Sequence, residues 1–397
     1  MATFSARFLG CKVSFADAQA VREQLLADGH TEVATGGDVT VVNTCCVTHE
    51  AVSKSRQAVS RAARESGRVF VTGCAANLQG ALQTTDECVT VVSGASESVP
   101  GIVAGHVGSI GCVRSEARVD RTRAFVKIQD GCSFSCAFCV IPQVRGTTRS
   151  RRAAAVLAEI GRRVAHGHRE IVLTGVNLGC FRDRETGFTL AKLVREAGSL
   201  PGVERLRLSS IEVNHLTDEL VDALRETPAV SAHLHVPLQS GDDGVLRAMR
   251  RRYTAEQYLE KVAPLEDFNR TADVIVGSPG EDESAFERTL DVVERAGITA
   301  VHVFPYSPRP GTLTAGKDTV PRAVKRDRSA RLRALSDDLV RRRWRERLGS
   351  VDRVLVDRPG RGYADDYTPW LVDAPVGELV SARAVGVGEE GILAVAA

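Results

Sequence analysis

The sequence predicts an α/β protein in three parts: an N-terminal parallel-sheet domain over residues 1–112, a central partial (β/α)6 barrel over 118–348, and a small all-β domain over 349–397. Three observations carry this. Apolar β-branched runs alternate with amphipathic helical stretches from the start of the chain, as parallel strands joined by crossover helices require. Six strand-then-helix units then follow between residues 124 and 347, enough to curl part-way into a barrel. After Gly349-Ser350 the texture changes to short β-like runs broken by glycine and proline.

A chain of 397 residues is too long for one ordinary core. No uninterrupted apolar run reaches the length of a bilayer span, and Met1-Ala2-Thr3-Phe4-Ser5-Ala6-Arg7 lacks the layout of a signal peptide. The expected location is the cytoplasm, with no membrane partner. In that reducing compartment the ten cysteines read as metal ligands or inert buried thiols, not as a disulfide framework. A net charge of +2 excludes a global field for a polyanion. The arginines nevertheless cluster, at Arg145, Arg149, Arg151 and Arg152, at Arg247 and Arg250 to Arg252, and at Arg341, Arg342, Arg343, Arg345 and Arg347. Each group reads equally well as a phosphate-backbone contact or as a solvated helix face.

In the first domain the strand candidates are Phe4 to Leu9, Val39 to Val42, Val69 to Thr72 and Val89 to Val92, with helices at Phe15 to Ala27 and His49 to Glu65. Ligands bind such sheets beyond the carboxyl ends of the strands. Cys11, Cys45 and Cys74 fall at that edge, one after each of three strands. They can share one metal cluster, or pack as small hydrophobes. Cys46, Cys88 and Cys112 are read as bystanders.

The central domain opens with the strand Ala124 to Ile128, followed directly by Gly131-Cys132-Ser133-Phe134-Ser135-Cys136-Ala137-Phe138-Cys139. A CxxxCxxC loop aims three thiolates at one iron–sulfur cube and leaves one iron open. The natural occupant of that position is S-adenosylmethionine, which an electron from the cluster can split to give a carbon radical. Zinc would want a fourth Cys or His at a paired spacing, and a disulfide would strand one thiol.

The other strands are expected at Glu170 to Thr174, Val203 to Leu208, Ala232 to Val236, Ala272 to Val276 and Ala300 to Phe304. Barrel enzymes keep their chemistry at the carboxyl ends of such strands. Candidate contacts to the cofactor there are Thr174, Gly175 and Asn177, then Ser209 and Ser210, then Gln239, with Phe138 placed to pack on adenine. His233 and His235 share one face of a strand and read as packing or supporting residues, not ligands. A long arginine-rich helix, Pro321 to Leu348, closes this domain, and the β runs beyond it form a small barrel or sandwich.

The motifs together resemble the methylthiotransferase family of radical-SAM enzymes over nearly the whole chain. They include Leu9-Gly10-Cys11-Lys12-Val13, Val42-Asn43-Thr44-Cys45, Thr72-Gly73-Cys74, Lys127-Ile128-Gln129-Asp130-Gly131-Cys132, Arg145-Gly146-Thr147-Thr148-Arg149, Leu173-Thr174-Gly175-Val176-Asn177, Arg207-Leu208-Ser209-Ser210, His235-Val236-Pro237-Leu238-Gln239-Ser240-Gly241 and Pro310-Gly311-Thr312. Ser14, Cys46, Gln143 and Ser278 depart from the family wording, and none is an expected ligand. The wording is most similar to the branch acting on threonylcarbamoyladenosine in tRNA.

The resemblance implies that Cys11, Cys45 and Cys74 hold an auxiliary [4Fe-4S] cluster beside the one on Cys132, Cys136 and Cys139. It further implies two S-adenosylmethionine molecules per turnover, an anticodon stem-loop as substrate, and a TRAM-like C-terminal domain. A sulfur source and an electron donor such as a flavodoxin or ferredoxin complete the set. The expected reaction adds a methylthio group to C2 of the modified adenosine beside the anticodon. The alternatives are an isopentenyladenosine tRNA or ribosomal-protein substrate, or a non-catalytic iron–sulfur RNA-binding protein.

Overall fold

The computed structural model describes residues 2–82, 86–108 and 122–397. Cys112 and the expected boundary between 112 and 118 lie outside these residues. The chain divides into two compact units: residues 1–118, 130–149 and 307–316 form the first, and 119–129, 150–306 and 317–397 the second.

The first unit is built on β1 (Thr3–Phe8), α1 (Lys12–Ala27), β2 (Thr31–Glu32), β3 (Gly37–Thr44), α2 (His49–Glu65), β4 (Ser66–Gly73), β5 (Val89–Val91) and α3 (Val99–Val107). The strands form one sheet in the order β2-β1-β3-β4-β5, all pairs parallel. Helix α2 illustrates why the pattern folds this way. Its buried residues Val52, Ser55, Val59 and Ala62 recur at helical spacing, and the Thr48 hydroxyl accepts from the Ala51 amide at 3.0 Å to cap it. Phe4, Val39, Val41 and Phe70 pack from the sheet onto Val21, Leu25 and Val103 of α1 and α3.

Strand β6 (Arg123–Asp130) leads out of the second unit into the cysteine loop and the short helix α4 (Ile141–Arg145), which belong to the first. The chain returns through β7 (Arg149–Ser150) and α5 (Ala153–Ala165). It continues with β8 (Glu170–Gly175), α6 (Leu190–Gly198), β9 (Arg205–Leu208), α7 (Asp218–Glu226), β10 (His233–His235), α8 (Asp243–Ala248), α9 (Ala255–Val262), β11 (Asn269–Val276), α10 (Glu283–Arg295), β12 (Ile298–Pro305) and α11 (Arg322–Glu346). The expected strand series is therefore present, in two hydrogen-bonded sheets, β7-β6-β8-β9 and β10-β11-β12. Hydrogen bonds from the Leu206 amide to the Ala229 carbonyl at 2.7 Å and from Ile211 to His235 at 2.9 Å join them. Val126, Ile171, Leu206, Leu234 and Val274 point outward into one core with Val156, Leu193, Leu224, Phe286 and Leu332 of the helices. Alternation sends their neighbours into the lumen.

The C-terminal runs are β13 (Val351–Arg358), β14 (Arg361–Tyr363), β15 (Pro369–Leu371), β16 (Leu379–Val387) and β17 (Ile392–Ala396), which close into a barrel, β13-β14-β15-β17-β16. This barrel docks on the amino ends of the parallel strands through a buried ion cluster. Glu170 at the start of β8 accepts from Arg205 at 3.1 Å and Arg207 at 2.9 Å, with Arg123 at 3.6 Å. Arg205 and Arg207 also donate to the carbonyls of Arg353, Tyr363, Ala364 and Asp365. Arg123 lies over the Tyr363 ring at 4.6 Å and Arg207 over Tyr367 at 4.8 Å.

Two arginine groups are partly internal glue, a correction to both surface readings. Arg343 pairs with Asp366 at 3.1 Å and Arg347 with Asp352, anchoring α11 to the β barrel. Arg251 is half-buried, paired with Glu212 and donating to the Tyr253 hydroxyl. Arg247, Arg250, Arg252, Arg341, Arg342 and Arg345 stay exposed.

Candidate active site

In the first unit both cysteine triplets sit beyond strand carboxyl ends. Cys11 is the N-cap of α1, Cys45 follows β3 and Cys74 follows β4. The loops converge because glycine permits it. A Cβ on Gly10, whose φ is +117°, would meet Cys45 Cβ at 3.1 Å and Cys45 Sγ at 3.3 Å; one on Gly73 (φ +87°) would strike Asn43 Oδ1 at 2.2 Å. The Cys74 amide donates to the Thr44 carbonyl at 3.0 Å, and Ser55 of α2 clamps the Cys45 backbone on both sides, at 3.1 and 3.0 Å.

The thiols are close enough to feel one another: burial raises the Cys45 thiol, and charge on Cys74 or Cys11 raises it further. Cys74 is held down to about 6, first by a hydrogen bond from Cys46 and then by the Arg145 guanidinium. Cys46 shifts up correspondingly, by its bond to Cys74 and by burial. It packs in one buried cluster with Cys74, a proximity its adjacency to Cys45 does not reveal. Cys88 is half-buried, its amide donating to Asp86 Oδ1 at 3.1 Å and its thiol making a long contact to the Ala63 carbonyl at 3.9 Å.

The CxxxCxxC loop is pinned at its root. Gly131 adopts φ +68°, where a Cβ would lie 2.1 Å from the Thr147 carbonyl. Cys132 N–H donates to Gly146 O at 3.0 Å, and Ser133 and Thr148 exchange two bonds of 3.1 Å between side chains and amides. The Phe134 amide points at Cys132 Sγ from 3.4 Å, a donor suited to a thiolate sulfur. Cys132, Cys136, Cys139 and Phe138 are all half-buried.

Arg145 joins the two triplets. Its Nε donates to Cys74 Sγ at 3.1 Å, Nη1 to Asp130 at 3.1 Å and Nη2 to Asp17 at 2.9 Å, with side-chain exposures of 6% for Arg145, 3% for Asp130 and 8% for Asp17. Burial disfavours the guanidinium charge, but Cys74, Asp17 and Asp130 outweigh it and hold Arg145 firmly protonated. Asp130 in turn accepts from the Gly131 amide at 2.7 Å. Arg145 is therefore not part of a phosphate-binding or solvated face, because its charge is consumed inside. Sequence adjacency to the loop is the signal that marks it. A cavity of about 540 Å³ beside Cys74 is lined by Asn43, Thr72, Asp130, Arg145 and Arg149, and the buried Asn43 Oδ1 and Thr72 Oγ1 have no hydrogen-bond partner among the described residues. Three converging cysteines with a fixed cation and orphaned polar atoms beside Cys74, and the CxxxCxxC loop with the Phe134 amide on Cys132 Sγ, fit a cysteine-held iron–sulfur group at each triplet.

In the second unit the expected cofactor contacts follow consecutive strands. Thr174 and Gly175 end β8, and the Asn177 amide donates to Gln129 Oε1 at 2.8 Å. The buried hydroxyls of Thr174 and Ser209 have no hydrogen-bond partner among the described residues, and Ser210 beside them is half-buried. Gln239 is buried with φ +66°, held by its amide to Asp273 O at 2.8 Å and its carbonyl to the Ile275 amide at 2.9 Å. Strain of that kind concentrates at ligand sites. These groups suit a ligand rich in oxygen and nitrogen such as S-adenosylmethionine. His233 packs its ring 4.9 Å from Tyr367, as a supporting residue would.

The fold and the loop define a radical-SAM enzyme. The model of the Radical SAM superfamily matches residues 126–293, and that of uncharacterized protein family UPF0004 matches residues 3–94. A solved radical S-adenosylmethionine methyltransferase, TsrM from Kitasatospora setae, shares the fold with a TM-score of 0.59 at 13% identity, covering 79% of this chain and 75% of that one. More specifically, a Bacillus subtilis protein named threonylcarbamoyladenosine tRNA methylthiotransferase MtaB is 34% identical, with 98% of this chain and 95% of the relative covered. A tRNA-2-methylthio-N(6)-dimethylallyladenosine synthase from Acidothermus cellulolyticus is also 34% identical, with 99% and 85% covered. The chain belongs to the methylthiotransferase family of radical-SAM enzymes, which use S-adenosylmethionine and a [4Fe-4S] cluster.

Proposed function

We propose that this chain is a tRNA methylthiotransferase that places a methylthio group on C2 of N6-threonylcarbamoyladenosine beside the anticodon. The observation that supports it most is the pairing of two cysteine triplets in one compact unit, with Arg145 bonded to Cys74 of one and to Asp130 at the root of the other. Full-length similarity to relatives named for this reaction in Bacillus subtilis and Thermotoga maritima, each at 34% identity, points the same way.

On this reading Cys132, Cys136 and Cys139 hold the cluster that binds S-adenosylmethionine. Phe138, Thr174, Gly175, Asn177, Ser209, Ser210 and Gln239 contact the cofactor, and Cys11, Cys45 and Cys74 hold a second [4Fe-4S] cluster. When bound, the clusters and two S-adenosylmethionine molecules per turnover supply a reducing electron, a carbon radical and a methylated sulfur. The chain's own residues position these groups. Arg145 favours the thiolate of Cys74, Asp130 fixes the Gly131 amide at the start of the loop, and the Thr174 and Ser209 hydroxyls meet polar groups of the cofactor. An unstacked anticodon-loop base enters at little expense. The TRAM-like domain from 349, with the exposed arginines of α11, grips the phosphate backbone. The N-terminal domain extends to 112 and the catalytic core from 118 to 348. A flavodoxin or ferredoxin supplies electrons in the cytoplasm, and a separate source supplies sulfur.

The test is nucleoside mass spectrometry of tRNA from cells with and without the chain, and with a variant carrying Cys132→Ala, Cys136→Ala and Cys139→Ala. The methylthio derivative of threonylcarbamoyladenosine is expected only with the intact chain. A methylthio derivative of dimethylallyladenosine instead would move the substrate assignment to the other tRNA branch, and unchanged tRNA would overturn it.

A further inference from the structure

We propose that His235, Asp273 and His302 form a binding site for a first-row divalent cation inside the lumen of the central barrel, separate from both cysteine triplets. The three residues stand side by side on neighbouring parallel strands β10, β11 and β12, with Asp273 directly across from His302 in the β11–β12 register. Alternation fixes the face. Leu234, Ala272, Val274 and Val301 belong to the core under the helices, so the residues between them point the opposite way, into the lumen.

The donor atoms lie within 4.8 Å of one another. His235 Nε2 and Asp273 Oδ1 are 3.3 Å apart, and metal bonds of about 2.0–2.1 Å at tetrahedral angles place two ligand atoms about 3.3 Å apart. That pair is already at metal-binding separation. His302 is exposed, so a side-chain rotation closes the remaining gap.

The support around His235 has the form that a metal ligand needs. Its Nδ1 lies 2.9 Å from Thr271 Oγ1 on the neighbouring strand. In the tautomer where Nδ1–H donates to that hydroxyl, Nε2 presents a lone pair to the Asp273 carboxylate. In that tautomer both facing atoms are acceptors and a shared cation satisfies them, whereas in the other tautomer Nε2–H donates to Asp273 directly. Two imidazoles and one carboxylate are borderline donors that select zinc, iron(II), cobalt(II) or nickel(II) over magnesium and calcium, and three protein ligands leave positions open to an oxygen donor in the lumen. The sequence reading of His235 as a supporting residue changes because Asp273 and His302 lie about 40 and 70 residues away, and only the strand order of the barrel brings them together. The rival is a simple imidazolium–carboxylate pair with no metal.

The experiment uses the full chain with its iron–sulfur clusters in place and oxidised, so that they are magnetically silent. Cobalt(II) serves as the probe, and zinc and iron are counted by elemental analysis. The wild-type chain is expected to take up one further ion, with an electron paramagnetic signature of high-spin cobalt coupled to imidazole nitrogen. His302→Ala and Asp273→Asn should each weaken uptake by about tenfold or more with iron content and thermal unfolding unchanged; Thr271→Val should weaken it by about 10–100-fold. Since His302 is exposed, its variant folds even if the Asp273 variant does not. Absence of a further ion in the wild type, uptake in the His302 and Asp273 variants undiminished from the wild type, or a cobalt signal carrying thiolate ligands would each overturn the proposal.

Discussion

Replacing Arg145 with methionine keeps the bulk of the side chain and removes the guanidinium that bridges Cys74, Asp17 and Asp130. In the cluster-free chain the consequence is electrostatic: two buried carboxylates lose their shared cation. An exposed ion pair is worth about 0–1 kcal/mol, whereas breaking a buried one costs about 3–5 kcal/mol because a charge is left in a poor solvent. The exposures here put Arg145 in the second class, so the first unit should lose about 3–5 kcal/mol. The assay has to see that unit alone. Both tryptophans, Trp344 and Trp370, belong to the second unit, so fluorescence is blind to it. Amide hydrogen exchange in β1, β3 and β4 reads it directly. Adding Asp17→Asn to Arg145→Met removes one of the two buried negative charges and should restore about 1–2 kcal/mol. Loss of less than about 1 kcal/mol of protection in those strands, or no recovery in the double variant, would refute the reasoning.

Two other outcomes follow from buried groups in the second unit. Glu170→Gln leaves Arg123, Arg205 and Arg207 without their common carboxylate and should lower stability by about 3–5 kcal/mol, read from the Trp370 fluorescence transition. Burial pushes Glu170 up, but the three guanidiniums outweigh it and hold its carboxyl below the usual 4.5. Its contribution is therefore full above about pH 4.5 and fades as pH falls through the lower folded value, and the glutamine variant should lack that part of the acid dependence. Gln239→Gly relieves a left-handed backbone that a side chain rarely adopts, so unfolding by heat should not come earlier. S-adenosylmethionine binding by calorimetry should nonetheless weaken by about tenfold, the equivalent of one lost hydrogen bond; unchanged affinity would remove Gln239 from the cofactor site.

The layered order of the fold was legible because periodicity is a local property. Helix α2 runs over His49–Glu65 as its pattern predicts, and the strand runs Ala124 to Ile128 and Glu170 to Thr174 lie within β6 and β8. The cysteine triplets were legible for the same reason, since each is tied to a strand end or a short spacing. What escaped the sequence depends on which distant segments share a location. Arg205 and Arg207 alternate with leucines on β9, a pattern that marks a strand but not the partners of its arginines. Their partner Glu170 is the first residue of another strand, and the carbonyls that complete their bonds come from the β barrel about 150 residues later.

The same limit explains why charge was misjudged at Arg145. A count of +2 for the chain and a run of nearby arginines describe how many charges there are, not how many remain available to a ligand. At the amino end of the barrel three guanidiniums are neutralised by Glu170, Asp357 and Asp365, so that end is closed by ion pairs and stacked rings. Exposed arginines such as Arg247, Arg342 and Arg345 stay at the surface, where a polyanion can meet them. If RNA binding rests on them, Arg342 and Arg345 should carry salt-sensitive affinity while Arg343, tied to Asp366, contributes only to folding. The partition of one helix into structural and available charge is set by which face meets the β barrel, and no property of the arginines themselves distinguishes the two.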